Sequence, residues 1–160
     1  MKLGSRKDKI AKAWKEFLLS GFSVKPMIEI EEYIESCTRK IVDYIDSYCK
    51  GEKSNVDVLE AVDDLMRYLA TDGKLSPGDS IRQILYLKNI ALKVDPKMNK
   101  EEFFRFSNAV DDIACLAFDK YVEAKEHIYL LRVKEKERTI DMLRKAMSHY
   151  EEYYGNLPTE

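Results

Sequence analysis

An all-α fold of five to six helices follows from three observations on the 160-residue sequence. Apolar residues recur at spacings of three and four, with no strand-like alternation. Glycine and proline stand at the ends of the periodic segments rather than inside them. The last segment, from Lys100, meets no breaker until Gly155, so one helix takes up about a third of the chain.

The first helix is expected over Ser5 to Leu19, with Ile10, Ala13, Trp14, Phe17 and Leu18 on one face and Gly21 as its stop. Pro26 opens the second, where Ile30, Tyr33, Ile34, Cys37, Ile41, Tyr44, Ile45 and Tyr48 form the apolar stripe until Lys50-Gly51. Glu29, Glu31, Glu32 and Glu35 suit the positive end of its dipole. Asn55 is the expected cap of a third helix carrying Val58, Leu59, Val62, Leu65, Met66 and Leu69, closed by Thr71 to Gly73. The clearest start is "LSPGDSIRQILYLKNIAL": Ser76 caps, Pro77 takes the first helical position and Asp79 completes a capping box before Ile81, Ile84, Leu85 and Leu87. Asp95-Pro96 ends this fourth helix, and Asn99 with Glu102 starts the last, which at about 1.5 Å per residue reaches roughly 80 Å.

That helix carries two apolar series. Phe106, Val110, Ile113, Ala117, Tyr121, Ala124, Ile128 and Leu131 form a core-facing stripe. Val122, Tyr129, Val133, Ile140, Leu143, Met147, Tyr150 and Tyr154 lie on another face, with Glu126 and Lys136 in the gaps. Counting Lys136, the second series alternates three and four, as a heptad seam does. The expected organisation is a helical bundle over 1–131 and a helical extension over 132–160 whose seam serves a second chain. Tyr129, Val133, Ile140, Leu143, Met147 and Tyr150 are its contact residues. A fold-back of Ile140 to Tyr154 would need a break in Lys134 to Arg138, where no turn residue stands.

Composition narrows function by exclusion. A net charge of -2 carries no global pull toward nucleic acid or an anionic membrane. No apolar run approaches a membrane span, and Met1 to Leu19 lacks a secretory pattern. Cys37, Cys49 and Cys115 include no close pair, so reduced thiols in a cytoplasmic protein are expected, with Cys37 and Cys115 buried. His127 and His149 are too few for a histidine-rich metal site, and paired Glu-x-x-His motifs are missing. Asp63-Asp64 and Asp111-Asp112 are sequence neighbours, diverging by about 100 degrees on a helix, so neither pair can work on one bond. The basic segments 1–16, net +4, and 132–145, net +3, are interleaved with acids and expected as solvated faces. No catalytic constellation, metal site or cofactor is expected.

The run Ala117-Phe118-Asp119-Lys120-Tyr121, followed by Glu126-His127-Ile128-Tyr129 and by Leu131-Arg132-Val133 with Glu135, resembles the end of the RsbRD-type N-terminal domain, the sensor domain of RsbT co-antagonist proteins. "SPGDSIRQILYLK", Ser76 to Lys88, is similar to that family's central helix start, and the resemblance covers most of residues 10 to 138. The chain departs from the pattern at Ala124-Lys125, where the family has Cys-Arg, and in a longer segment between Arg67 and Pro77. The resemblance implies a globin-like but cofactor-free domain that dimerises and signals along its last helix to a STAS output domain in a stressosome-like assembly. The 160 residues hold no such output domain, so a stand-alone member acting in trans is expected. Stand-alone relatives are also associated with sulfite-reduction redox complexes.

The expectation for function is a non-enzymatic signalling or adaptor module that homodimerises and binds a further protein partner in a stress response. The alternative is a sensor holding haem or a lipid-like molecule between its helices, with His127 as the haem ligand to consider.

Overall fold

The computed structural model describes residues 3–22, 26–53 and 57–156 and is helical, with no strand among those residues. Six helices run in order: α1 Leu3–Ser20, α2 Ile28–Lys50, α3 Val58–Thr71, α4 Pro77–Leu85, α5 Leu87–Val94 and α6 Lys100–Gly155. The chain divides into two compact units, residues 1–124 and 125–160, whereas the sequence sets that boundary at 131 and 132.

Unit 1–124 holds the core. Helix α1 packs on α2 and α5, α2 on α3, and α3 on α4. Trp14 and Leu18, Ile34, Ile41 and Ile45, Leu65, Met66 and Leu69, and Ile84 and Leu87 are all withdrawn from water, each contributing about 1.5–3 kcal/mol of transfer free energy. Phe106, Val110, Ile113, Ala117, Tyr121 and Ala124 supply the α6 side of the same core. The expected stripe therefore ends at Ala124 rather than Leu131: Ile128 is half-buried and Leu131 exposed, both lying past the end of this unit. Tyr33, Tyr48, Leu59 and Leu85, expected in apolar stripes, also remain substantially exposed.

Capping explains most boundaries. Glu60 donates its backbone N–H to the Asp57 carboxylate at 3.1 Å, so Asp57 caps α3, and Asn55 lies outside the described residues. The box at Ser76 forms as expected, Asp79 N–H to Ser76 Oγ at 3.0 Å and Ser76 N–H to Asp79 Oδ2 at 3.1 Å. Glu102 N–H reaches Asn99 Oδ1 at 2.8 Å to start α6. Pro26 does not sit at the first helical position of α2, which starts at Ile28 after Met27. At its other end Gly51 adopts φ 69°, and N–H groups of Gly51 and Glu52 close on Tyr48 and Ser47 carbonyls at 3.1 and 3.0 Å.

One expected helix is two. No proline or glycine interrupts Ser80 to Val94, yet the ladder turns at Tyr86 between α4 and α5. The Tyr86 ring is stacked on Phe17 of α1 with centroids 4.1 Å apart, and its hydroxyl accepts from Lys93 Nζ at 2.7 Å. Ile84, Leu87, Ile90 and Ala91 are buried on the two sides of the turn. Tertiary packing overrides local propensity here. The opposite holds in α6, which continues through 134–138 without a break.

Candidate functional site

The residues expected in the seam lie on one face of α6, and the structure leaves them accessible. Tyr129 is 68% exposed, Ile140 48%, Leu143 59%, Met147 63% and Tyr150 62%, while Val133 is intermediate. Every residue from Lys134 to Asn156 is exposed. At the far end the Tyr150 and Tyr154 rings meet tilted, with centroids 4.3 Å apart, and Tyr153 meets Tyr154 edge-on at 4.9 Å. Aromatic groups in water contact each other when nothing else covers them. Near the start of unit 125–160, Lys125, Glu126, Tyr129 and Leu130 line a shallow hollow of about 410 Å³.

Phe104 and Leu130 were not singled out in the sequence, and Phe118 only within the run that carries the resemblance; all three are more than half exposed. Phe104, Phe118 and Val122 are separated by fourteen and four positions, close to four turns and one turn of helix, so the exposed stripe begins well before Val122. Cys115 falls on this side too. It is exposed rather than buried, because it stands two residues from both Ile113 and Ala117 and so points away from the core stripe those residues define.

Cys37 is buried, and burial together with the nearby Asp64 carboxylate pushes its thiol up to about 11. Cys49 is half-buried and pushed up chiefly by burial. Both are protonated at neutral pH and poor nucleophiles. The adjacent acids are spent separately: Asp63 pairs with Arg67 at 3.1 Å, Asp64 accepts a hydrogen bond from Tyr33, and Asp111 pairs with Lys88 at 2.6 Å. His127 is exposed. Among the described residues no three His, Cys, Asp or Glu side chains gather as metal ligands, and no helix is long and apolar enough to cross a membrane.

The N-terminal basic segment is only in part the solvated face the sequence suggested: Lys9 and Lys12 are exposed, but three other cations are paired. Arg6 reaches Asp95 at 2.8 Å and Glu102 at 3.7 Å, Lys7 reaches Asp43 at 2.9 Å, and Lys15 reaches Glu35 at 3.1 Å. These cations tie α1 to its neighbours, each surface pair contributing up to about 1 kcal/mol. Lys2 lies outside the described residues. A cleft of about 420 Å³ between α1 and α2 is lined by Asp8, Ala11, Lys12, Lys15, Glu35, Thr38 and Arg39. Its charged walls do not suit haem or a lipid. A second hollow of about 30 Å³, bounded by Ile10, Val42, Met98 and Phe106 among others, has room for a water molecule.

The chain is 36% identical over 143 residues to a protein of Archaeoglobus fulgidus described as uncharacterized, a match covering 89% of this chain and 93% of that one. No family model matches the sequence. No solved structure matches it.

Proposed function

This chain belongs to the same family as the Archaeoglobus fulgidus protein, and we propose that it is a non-enzymatic, cytoplasmic signalling or adaptor module that homodimerises through α6 and acts on a further protein partner. The observation that carries this reading is the series Tyr129, Ile140, Leu143, Met147 and Tyr150, exposed on one face at heptad spacing. Contiguous exposed apolar surface rimmed by charge marks an interaction site. An exposed helix of this kind gains little stability from propensity alone, because helix stability comes mainly from packing an apolar face. A second copy offers the same seam and supplies that packing. The resemblance to RsbRD-type domains adds the remainder: a globin-like, cofactor-free bundle that passes its state along the last helix.

Sedimentation and light scattering test the dimer. Wild-type protein is expected to be dimeric at micromolar concentration, and Leu143→Asp with Met147→Asp is expected to give a monomer in which unit 1–124 stays folded. A wild-type monomer at high concentration would overturn the reading.

A further inference from the structure

The seam contains two charged positions, and their placement decides which way a second copy lies. Val133, Ile140, Met147 and Tyr154 form one rank of the heptad, with Glu126 as its first member. Tyr129, Leu143 and Tyr150 form the other, with Lys136 among them. Two parallel helices bring each seam residue against its own counterpart. Glu126 would then face Glu126, and Lys136 would face Lys136, two like-charge layers withdrawn from water. Two antiparallel helices instead oppose the first rank to the second.

Resting on the homodimer reading above, we infer that the α6 helices of two copies pair antiparallel, in the register that sets Glu126 of each against Lys136 of the other. The same register sets Tyr129 against Val133 twice and brings Leu130 beside Leu130 at the two-fold axis. The hollow lined by Lys125, Glu126, Tyr129 and Leu130 then receives Val133 of the second copy, and the Lys136 ammonium reaches the Glu126 carboxylate at its edge. Shifting the pairing by one heptad either way sets Glu126 against Tyr129 or Leu143 and leaves it without a cation.

Charge exchange tests the register, read by sedimentation equilibrium at low salt. Lys136→Glu alone and Glu126→Lys alone each create two like-charge contacts across an antiparallel pair, so each is expected to weaken the dimer by at least about tenfold. The double variant Glu126→Lys with Lys136→Glu restores both contacts and is expected to return the dissociation constant to within about threefold of wild type. Both positions are exposed, so the circular dichroism of all variants is expected to match wild type. In a parallel dimer each single exchange replaces one like-charge layer by another and neither weakens association. A dimer indifferent to the single exchanges, or unrepaired by the double one, overturns the antiparallel register and leaves homodimerisation standing. A monomeric wild type removes both readings.

Discussion

The indole Nε1–H of Trp14 donates to the main-chain oxygen of Gln83 at 3.0 Å, in a buried position that joins α1 to the last turn of α4. Carbonyls in the last turn of a helix lack an intrahelical donor, and the turn at Tyr86 places this one inside the core. Trp14 therefore fills volume and completes the end of a helix together. Trp14→Phe is expected to cost about 2–4 kcal/mol, combining an orphaned buried acceptor with a residual cavity. The urea midpoint reads this, and a loss below about 1 kcal/mol would show that the bond has no net value.

The three thiols should separate by environment. Cys37 is buried with its thiol near 11, Cys49 is half-buried and Cys115 exposed. At pH 8 a thiol that weak holds about one thousandth of its population as thiolate, the only reactive form. A disulfide reagent added to native protein dilute enough to be monomeric should modify Cys115 in a first fast phase, and Cys37 only as the bundle opens. In denaturant all three should react at similar rates. Simultaneous reaction in the native state would contradict the placement of Cys37 in the core.

The contrast between Cys37 and Cys115 also shows what the sequence could and could not convey. Helix identity, the Ser76 box and the Asn99 cap are local, since each is written within four residues, and they were legible. Cys115 was assigned to the core because apolar neighbours flank it in sequence, although its helical phase sets it opposite Ile113. The turn at Tyr86 was not legible at all, because its cause is Phe17 on another helix. Leu131 failed for a related reason: periodicity continues past the point where the compact unit ends, and spacing alone does not reveal where the covering helices stop. The exposed face of α6 was legible because its heptad spacing differs in phase from the core stripe, a signal internal to α6.

Glu35 links stability to pH. A hydrogen bond from Lys15 at 3.1 Å, and then the charges of Lys15 and Arg39, hold its carboxyl below the usual glutamate range. A group whose value is lowered by folding adds stability above its unfolded value and loses that contribution as pH falls through the folded one. Lys15→Met should therefore flatten the acid limb of a plot of unfolding midpoint against pH. The two proteins should differ most near neutrality and converge once Glu35 is protonated in both. Parallel acid limbs would show that the pair contributes nothing measurable.

Three truncations along α6 test the proposed seam, and each is expected to behave differently. Tyr121 is 2% exposed, so Tyr121→Ala removes core volume and is expected to cost about 3–5 kcal/mol at every protein concentration. Leu131 is 48% exposed and belongs to neither rank of the seam, so Leu131→Ala should cost under about 1 kcal/mol at every concentration. Ile140 is equally exposed but stands in the proposed seam. Its truncation should be silent in dilute protein and destabilising in concentrated protein, since a partner that binds only the folded chain stabilises it by mass action. Thermal midpoints measured across a hundredfold range of concentration separate the three. Parallel concentration dependence for the Leu131 and Ile140 variants would count against the heptad series as the proposed contact face.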